Sequence, residues 1–439
     1  MTVSPGPASP RPDPSRPHPG TDSPHTIIDR KSTPVSSTHT PAALVLADGR
    51  VFRGRGFGAE GTTLGEAVFT TGMTGYQETM TDPSYHRQIV VATAPHIGNT
   101  GWNDEDGESR GDRIWVAGLA VRDLSHSVSN WRAERSLEEE MTAQGVIGIR
   151  GIDTRAVVRH LRDRGAVAAG IVSGDDALLS EDELVARVAA QPGMEGADLA
   201  SEVTTPEVYV VEPEGETRYT VIAYDMGIKT NTPRNLARRG VRTVVVPAGT
   251  DLDSLTEWDY DGVFVSNGPG DPATADATVA QVRTVLERKI PFFGICFGNQ
   301  ILGRALEMET YKLKFGHRGI NVPVLNHVTG KIDITAQNHG FALRGTPGET
   351  FDTPFGPAVV THTCLNDDVV EGVALADGSA YSVQYHPEAA AGPRDANPLF
   401  DQFIELMERH RAGGDPKPTT TAPTAPSAPS AQHDTKGTE

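Results

Sequence analysis

The chain has 439 residues, a formal charge of −19, only two cysteines, and 32 prolines against a hydrophobic content of 37%. That length predicts two domains plus tails, and the acidic balance argues against nucleic acid, whose phosphates demand the opposite sign. No apolar stretch approaches the length of a membrane span, the N-terminus lacks the apolar core of a secretory signal, and Cys296 and Cys364 cannot make a disulfide framework, so a reducing cytoplasm is the expected setting.

Residues 1–41 are crowded with Pro, Ser, Thr and His and cannot bury a core; they are predicted to be a disordered extension. Order is expected from Ala42, where Ala43–Ala47, Asp48-Gly49 and Val51-Phe52 read as a hairpin, because Asp-Gly supplies the positive φ angles of a tight turn. Loop chemistry follows in Met73-Thr-Gly-Tyr-Gln-Glu78, Asp82-Pro-Ser-Tyr85 and Pro95-His-Ile-Gly-Asn99, with a strand over 88–92 between them. Ser136 with Glu139 and Ser180 with Glu183 form capping boxes, and Asp153 caps a helix over 154–164 whose Val157, Val158 and Leu161 share one face. Residues 42–205 are therefore expected to form a mixed α/β domain, and the acidic, proline-containing segment 206–218 a linker.

From Tyr219 the rhythm changes. Short apolar runs at 219–224, 242–246, 262–265 and 291–295 alternate with helical patterns at 233–239 and 277–288, which predicts an α/β domain over 219–411 with a mostly parallel, doubly wound sheet. Sites in such sheets gather at the carboxyl ends of the strands. Two loops belong there. Ser266-Asn-Gly-Pro-Gly-Asp-Pro272 lacks the spacing and lysine of a phosphate cradle, and is expected to form a backbone wall. The second, Gly294-Ile-Cys-Phe-Gly298, is a strand, a hard turn and a helix, with glycines sparing the Cβ collisions that such a turn creates. Cys296 would stand at the helix start, where backbone N–H groups favour negative charge on sulfur. A buried, inert cysteine fits the same spacing.

A cysteine nucleophile needs a base and a group to hold that base. Tyr385-His386-Pro387-Glu388 offers both at one strand end, since the residue before proline is pushed toward extended backbone and His386 and Glu388 can then share a face. Residues 412–439 return to Pro, Thr, Ala and Ser and are predicted to be a disordered tail.

Gly294-Ile-Cys-Phe-Gly-Asn-Gln300 with His386-Pro-Glu388 resembles the class I glutamine amidotransferases. With the three N-terminal loop motifs, Asp153-Thr-Arg155, Ser266–Pro272, Ala336-Gln-Asn-His-Gly-Phe341 and Gly392-Pro-Arg-Asp395, the chain is similar to the small, glutamine-hydrolysing chains of carbamoyl-phosphate synthases from about Ala42 to Arg411. It departs from them at Phe297, where leucine is common, at Asn299, where histidine is common, and at Ala390, where serine is frequent.

The resemblance implies a Cys296–His386–Glu388 triad and glutamine held by Ser84, Gly268, Gly270, Phe297, Gln300, Asn338, Gly340 and Phe341. It implies that ammonia passes to a large partner subunit, where ATP and magnesium are expected, for carbamoyl phosphate serving arginine and pyrimidine synthesis. No cofactor or metal is expected on this chain. A stand-alone γ-glutamyl cysteine hydrolase and a catalytically silent regulatory subunit are the alternatives.

Overall fold

The computed structural model describes residues 39–414 and residue 419. Apart from 39–41, 412–414 and 419, the two predicted tails lie outside the described residues.

The N-terminal half is built on a closed seven-stranded barrel. Its strands are β1 (Pro41–Leu46), β2 (Val51–Gly58), β3 (Gly61–Thr70), β4 (Gln88–Ala92), β5 (Gly118–Ala120), β6 (Ile147–Arg150) and β7 (Val167–Ser173). They run in the order β1-β2-β6-β5-β4-β3-β7, and β7 pairs back onto β1 to close the ring. The hairpin expected at Asp48-Gly49 is present, with Gly49 at φ 97°. Both capping boxes are formed, and the Asp153 carboxylate accepts the Ala156 N–H at 3.0 Å. Strand periodicity sorts the side chains of β1: Leu44 and Leu46 pack with Ile89, Ile149, Ile171 and helix residues Val157 and Leu161, while Ala43 and Val45 meet Leu184 and Val188.

The second half is organised by an eleven-stranded sheet. Its strands are β8 (Tyr209–Val211), β9 (Tyr219–Asp225), β10 (Val241–Pro247), β11 (Gly262–Val265), β12 (Phe292–Ile295), β13 (Thr310–Asn326), β14 (Ile332–Leu343), β15 (Thr350–Phe351), β16 (Ala358–Cys364), β17 (Val370–Leu375) and β18 (Ala380–Val383). The order is β8-β10-β9-β11-β12-β18-β17-β14-β13-β16-β15. The five neighbours from β10 to β18 are parallel, and the sheet continues beyond them in antiparallel pairs. Segment 206–218, expected to be a linker, contributes β8, which pairs antiparallel with β10 and caps that edge.

Every residue of β9 is buried, because helices cover both faces of the sheet. Ile222, Tyr224 and Val265 pack with Val282 and Val285 of helix Asp276–Glu287 and Leu302 of helix Phe297–Ala305. Val221, Ala223 and Phe264 face Leu236 of helix Asn231–Ala237 and Phe400, Phe403 and Met407 of helix Leu399–Arg411. Phe293 lies at the centre of the latter layer, stacked on Tyr381 with ring centroids 4.6 Å apart. None of the described helices is long and apolar enough to cross a membrane.

Candidate active site

Cys296 follows β12 directly and precedes the first residue of helix Phe297–Ala305. Its φ is 55°, a left-handed conformation that costs a non-glycine residue of order 1–3 kcal/mol. The surroundings enforce it through the glycines. A Cβ at Gly294 would lie 2.6 Å from the Gly298 carbonyl oxygen, and one at Gly298 only 2.2 Å from that of Val265. Neither position can carry a side chain, so strand and helix close on each other and the cysteine takes the strain of the turn.

Strand pairing then brings the second motif alongside. β12 and β18 are parallel neighbours with Ile295 opposite Val383, and the Cys296 N–H donates to the Val383 carbonyl at 2.8 Å. His386 and Glu388 lie three and five residues past the end of β18, in the turn beyond the strand and not on the strand itself. That turn still joins them: His386 Nδ1 is 2.7 Å from Glu388 Oε1, and both side chains are buried. Burial of the ring and the nearby Lys229 charge oppose protonation of His386, but Glu388 and Cys296 outweigh them and hold it up at about 10. Burial likewise opposes the Glu388 charge, and His386 and Lys229 keep its carboxyl below the usual range. His386 Nε2 has no partner in hydrogen-bond geometry, yet the Cys296 sulfur is near enough to favour the imidazolium.

The thiol itself is buried, in contact with the Asn338 carbonyl at 3.6 Å and receiving the Gln384 amide at 3.5 Å. Gln384 is aimed by its own neighbours, because its carbonyl oxygen accepts from Asn299 at 3.1 Å and from Gln300 at 3.2 Å. Ser382 donates to Asn299 Oδ1 at 2.9 Å and fixes which way that amide points. Asn299, one of the departures noted in the sequence, therefore stands behind the sulfur as part of an amide relay.

One cavity collects Cys296 with Ser84, Gly268, Gly270, Gln300, Asn338, Gly340 and Phe341. Of the eight predicted glutamine contacts only Phe297 does not line it: its ring is turned into the sheet core, and its backbone N–H, at the first helical position, has no helical acceptor. His386 opens onto a neighbouring pocket with Asp82, Glu108 and Lys229, and Asn338 lines both. The 266–272 loop does form a wall: the Gly298 N–H donates to the Ser266 carbonyl, and Gly268 admits no Cβ because the Met226 carbonyl oxygen would lie 2.1 Å away.

Ser84 reaches this cavity from the barrel half, where Asp82 caps its short helical turn. Asn267 donates to the Ser84 hydroxyl at 2.9 Å, joining the two halves at the site. Beside it Lys229 lies 3.3 Å from Asp82, both nearly enclosed. Burial works against the Asp82 charge, and Lys229 followed by His386 holds its carboxyl low; the Lys229 ammonium is correspondingly raised by Asp82, Glu108 and Glu388 against its own burial. Sequence reasoning did not single out Lys229, Glu108, Gln384, Glu66, Lys312 or Arg318, all close to the site. Asp82 stood inside a family motif without a role assigned to it; a lysine or arginine that the fold will bury carries no local mark of it.

Two family profiles match the chain: carbamoyl-phosphate synthase small chain, CPSase domain, over residues 44–171, and glutamine amidotransferase class-I over residues 221–406. The carbamoyl phosphate synthase small chain of Corynebacterium diphtheriae is 75% identical over 370 residues, covering 84% of this chain and 98% of that one. That of Mycobacterium tuberculosis is 68% identical over 369 residues, covering 83% and 98%. Among solved structures, a glutamine amidotransferase from Thermotoga maritima covers 45% of this chain and 86% of its own, at 17% identity and a TM-score of 0.32.

Proposed function

Given that the chain belongs to the carbamoyl-phosphate synthase small-chain family and carries a class I glutamine amidotransferase domain, we propose that Cys296, His386 and Glu388 are its hydrolytic triad. We propose further that the ammonia they release passes to a large, ATP- and magnesium-dependent subunit making carbamoyl phosphate for arginine and pyrimidine synthesis. The observation that carries the reading is the placement of a strained, buried cysteine within electrostatic reach of an imidazole that a buried carboxylate holds at 2.7 Å.

In this reading Cys296 Sγ attacks the side-chain amide carbon of glutamine, and the C–N bond breaks with His386 giving its proton to the departing nitrogen. The γ-glutamyl thioester and ammonia result. His386, now neutral, takes a proton from water as it attacks the thioester carbon, and glutamate leaves as the C–S bond breaks, which returns the Cys296 sulfur and the His386 proton to their starting places. Glu388 keeps Nδ1 protonated and the ring oriented, and steadies the imidazolium. The negative oxygen of each tetrahedral intermediate would meet the Phe297 N–H and the N–H groups of Gly268 and Gly270, each such donor being worth about 3 kcal/mol to the barrier. Ser84, Gly268, Gly270, Gln300, Asn338, Gly340, Phe341 and the Phe297 backbone would surround glutamine.

The domain division follows the same reading: 42–205 as the small-chain domain, 206–218 as a connection that includes β8, and 219–411 as the amidotransferase domain. The two profile matches fall inside the outer pair.

The test is nitrogen source. The chain assembled with a carbamoyl-phosphate-forming large subunit should make carbamoyl phosphate from glutamine or from ammonia, and the Cys296→Ser complex from ammonia only. A folded mutant complex that fails with both sources, or retains both, defeats the proposal.

A further inference from the structure

Arg318 lies on β13, where that strand crosses the cavity containing Cys296. It is 5% exposed and forms no ion pair with a carboxylate of the described residues. Nη1 donates to the Phe315 carbonyl at 2.7 Å, and Nε is buried with no partner. Backbone makes the space for this group: a Cβ at Gly316 would lie 2.5 Å from Nη1, and one at Gly340 would lie 3.3 Å from Nη2. Gly316 moreover adopts φ 69°, which suits glycine.

The other charges on the cavity wall are already matched. Lys312 and Glu66 pair at 2.6 Å, both largely shielded from solvent. Glu66 is thus committed to Lys312, and burial works against the Arg318 charge with only Tyr85, Glu66 and Cys296 in support. A guanidinium buried without its own counter-ion is unfavourable in the empty site and becomes favourable when a ligand brings the anion. Planar donors of this kind suit a carboxylate.

We infer that Arg318 is a specificity-determining residue of this cavity, receiving the α-carboxylate of the amino-acid amide whose side-chain amide lies at Cys296. The inference rests on the glutaminase reading and deepens it. A small amide reaching Cys296 without an α-carboxylate would leave Arg318 unpaired, so the site selects α-amino acids over simple amides by charge compensation. Lys312, neutralised by Glu66, has no such vacancy to fill.

The experiment measures ammonia release by the chain with its large-subunit partner from L-glutamine and from 4-aminobutanamide, the same molecule without its α-carboxylate. The wild-type complex should prefer glutamine strongly. Arg318→Gln should reduce that preference by about tenfold or more, through a raised KM for glutamine, with kcat/KM for 4-aminobutanamide held within about threefold. Arg318→Lys should recover part of the loss. Melting temperature and the rate of Cys296 alkylation by iodoacetamide establish that each variant is folded with an accessible thiol. An unchanged preference, or equal losses on both substrates in a folded variant, overturns the inference while leaving the glutaminase intact. If 4-aminobutanamide is not turned over by either protein, a glutamine KM unchanged within about twofold in Arg318→Gln overturns it. Failure of the wild-type complex to release ammonia from glutamine is the separate failure of the underlying reading, and removes this inference with it.

Discussion

The Cys296 N–H donates to the carbonyl of Val383 at 2.8 Å, one residue past the end of one parallel strand and at the last residue of its neighbour. This bond fixes the register in which the elbow cysteine meets the His386-Pro-Glu388 turn. Residues ninety apart in sequence are thereby held in one small volume by strand pairing together with the turn beyond the strand, where the His386 N–H donates to the Ala336 carbonyl at 2.9 Å.

The two cysteines are expected to differ sharply toward an alkylating glutamine analogue. Cys296 lines a cavity, whereas Cys364 is fully buried with no place in that cavity's lining, and its thiol is pushed up to about 12 by burial, with Asp367 and Glu371 adding to the rise. Peptide mapping after brief treatment should find the label on Cys296 only. Label chiefly on Cys364 contradicts the assignment.

His386 and Glu388 should be separable by their kinetic cost. His386→Ala removes the proton carrier and is expected to lower kcat by at least about a thousandfold, while Glu388→Gln keeps the imidazole but weakens its support and should cost less. Ammonia release under saturating glutamine measures both. Negligible losses in the two variants would make the pair ordinary turn chemistry.

The Asp82–Lys229 bridge should be strongly coupled. Lys229→Met leaves Asp82 buried without its partner, and removing one member of a buried pair costs about 3–5 kcal/mol, whereas Asp82→Asn combined with Lys229→Met should cost clearly less than the sum of the single changes. Denaturant unfolding of the four proteins gives the cycle. Strict additivity would show that the 3.3 Å approach carries no coupling.

Glu108 gives a pH signature of definite sign. Burial pushes its carboxyl up from 4.5 to about 7, with Lys229 opposing and Glu388, Asp82 and Glu78 adding to the rise, and its Oε2 has no partner. The folded state holds this proton more tightly than the unfolded chain, so its stabilising contribution is full below the unfolded value of 4.5 and is lost as pH rises through about 7. Glu108→Gln removes that loss. Its melting temperature, relative to the parent, should be higher at pH 8 than at pH 5, and an identical difference at both values would contradict the assignment.

Gly298→Ala is expected to remove activity and to lower stability by about 1–3 kcal/mol, because the new methyl would meet the Val265 carbonyl oxygen at 2.2 Å. Thermal unfolding and ammonia release report the two effects together. A fully active, equally stable alanine variant would mean that the elbow can open without consequence.

What the sequence determined by itself was local: the Asp48-Gly49 hairpin, the capping boxes at Ser136 and Ser180, the β-α alternation after Tyr219, and the Gly-x-Cys-x-Gly elbow, each specified by residues within a few positions of one another. Its family motifs also brought Ser84 from the other half of the chain onto the list of glutamine contacts. Only the tertiary structure decided how strands close and which charges become enclosed. Closure of β7 onto β1 joins residues more than a hundred positions apart, and mixed parallel and antiparallel pairing leaves no periodic trace of a barrel. Segment 206–218 reads as an acidic, proline-containing connection although its Tyr209–Val211 pairs as a strand, because an edge strand has a partner on one side only. Arg318, Lys229 and Glu108 look like ordinary surface charges in the sequence, since burial is decided by what packs around a side chain. The site is legible as motifs because its chemistry needs particular residues at fixed spacing, whereas its electrostatics are not, because they depend on distances that only the folded chain sets.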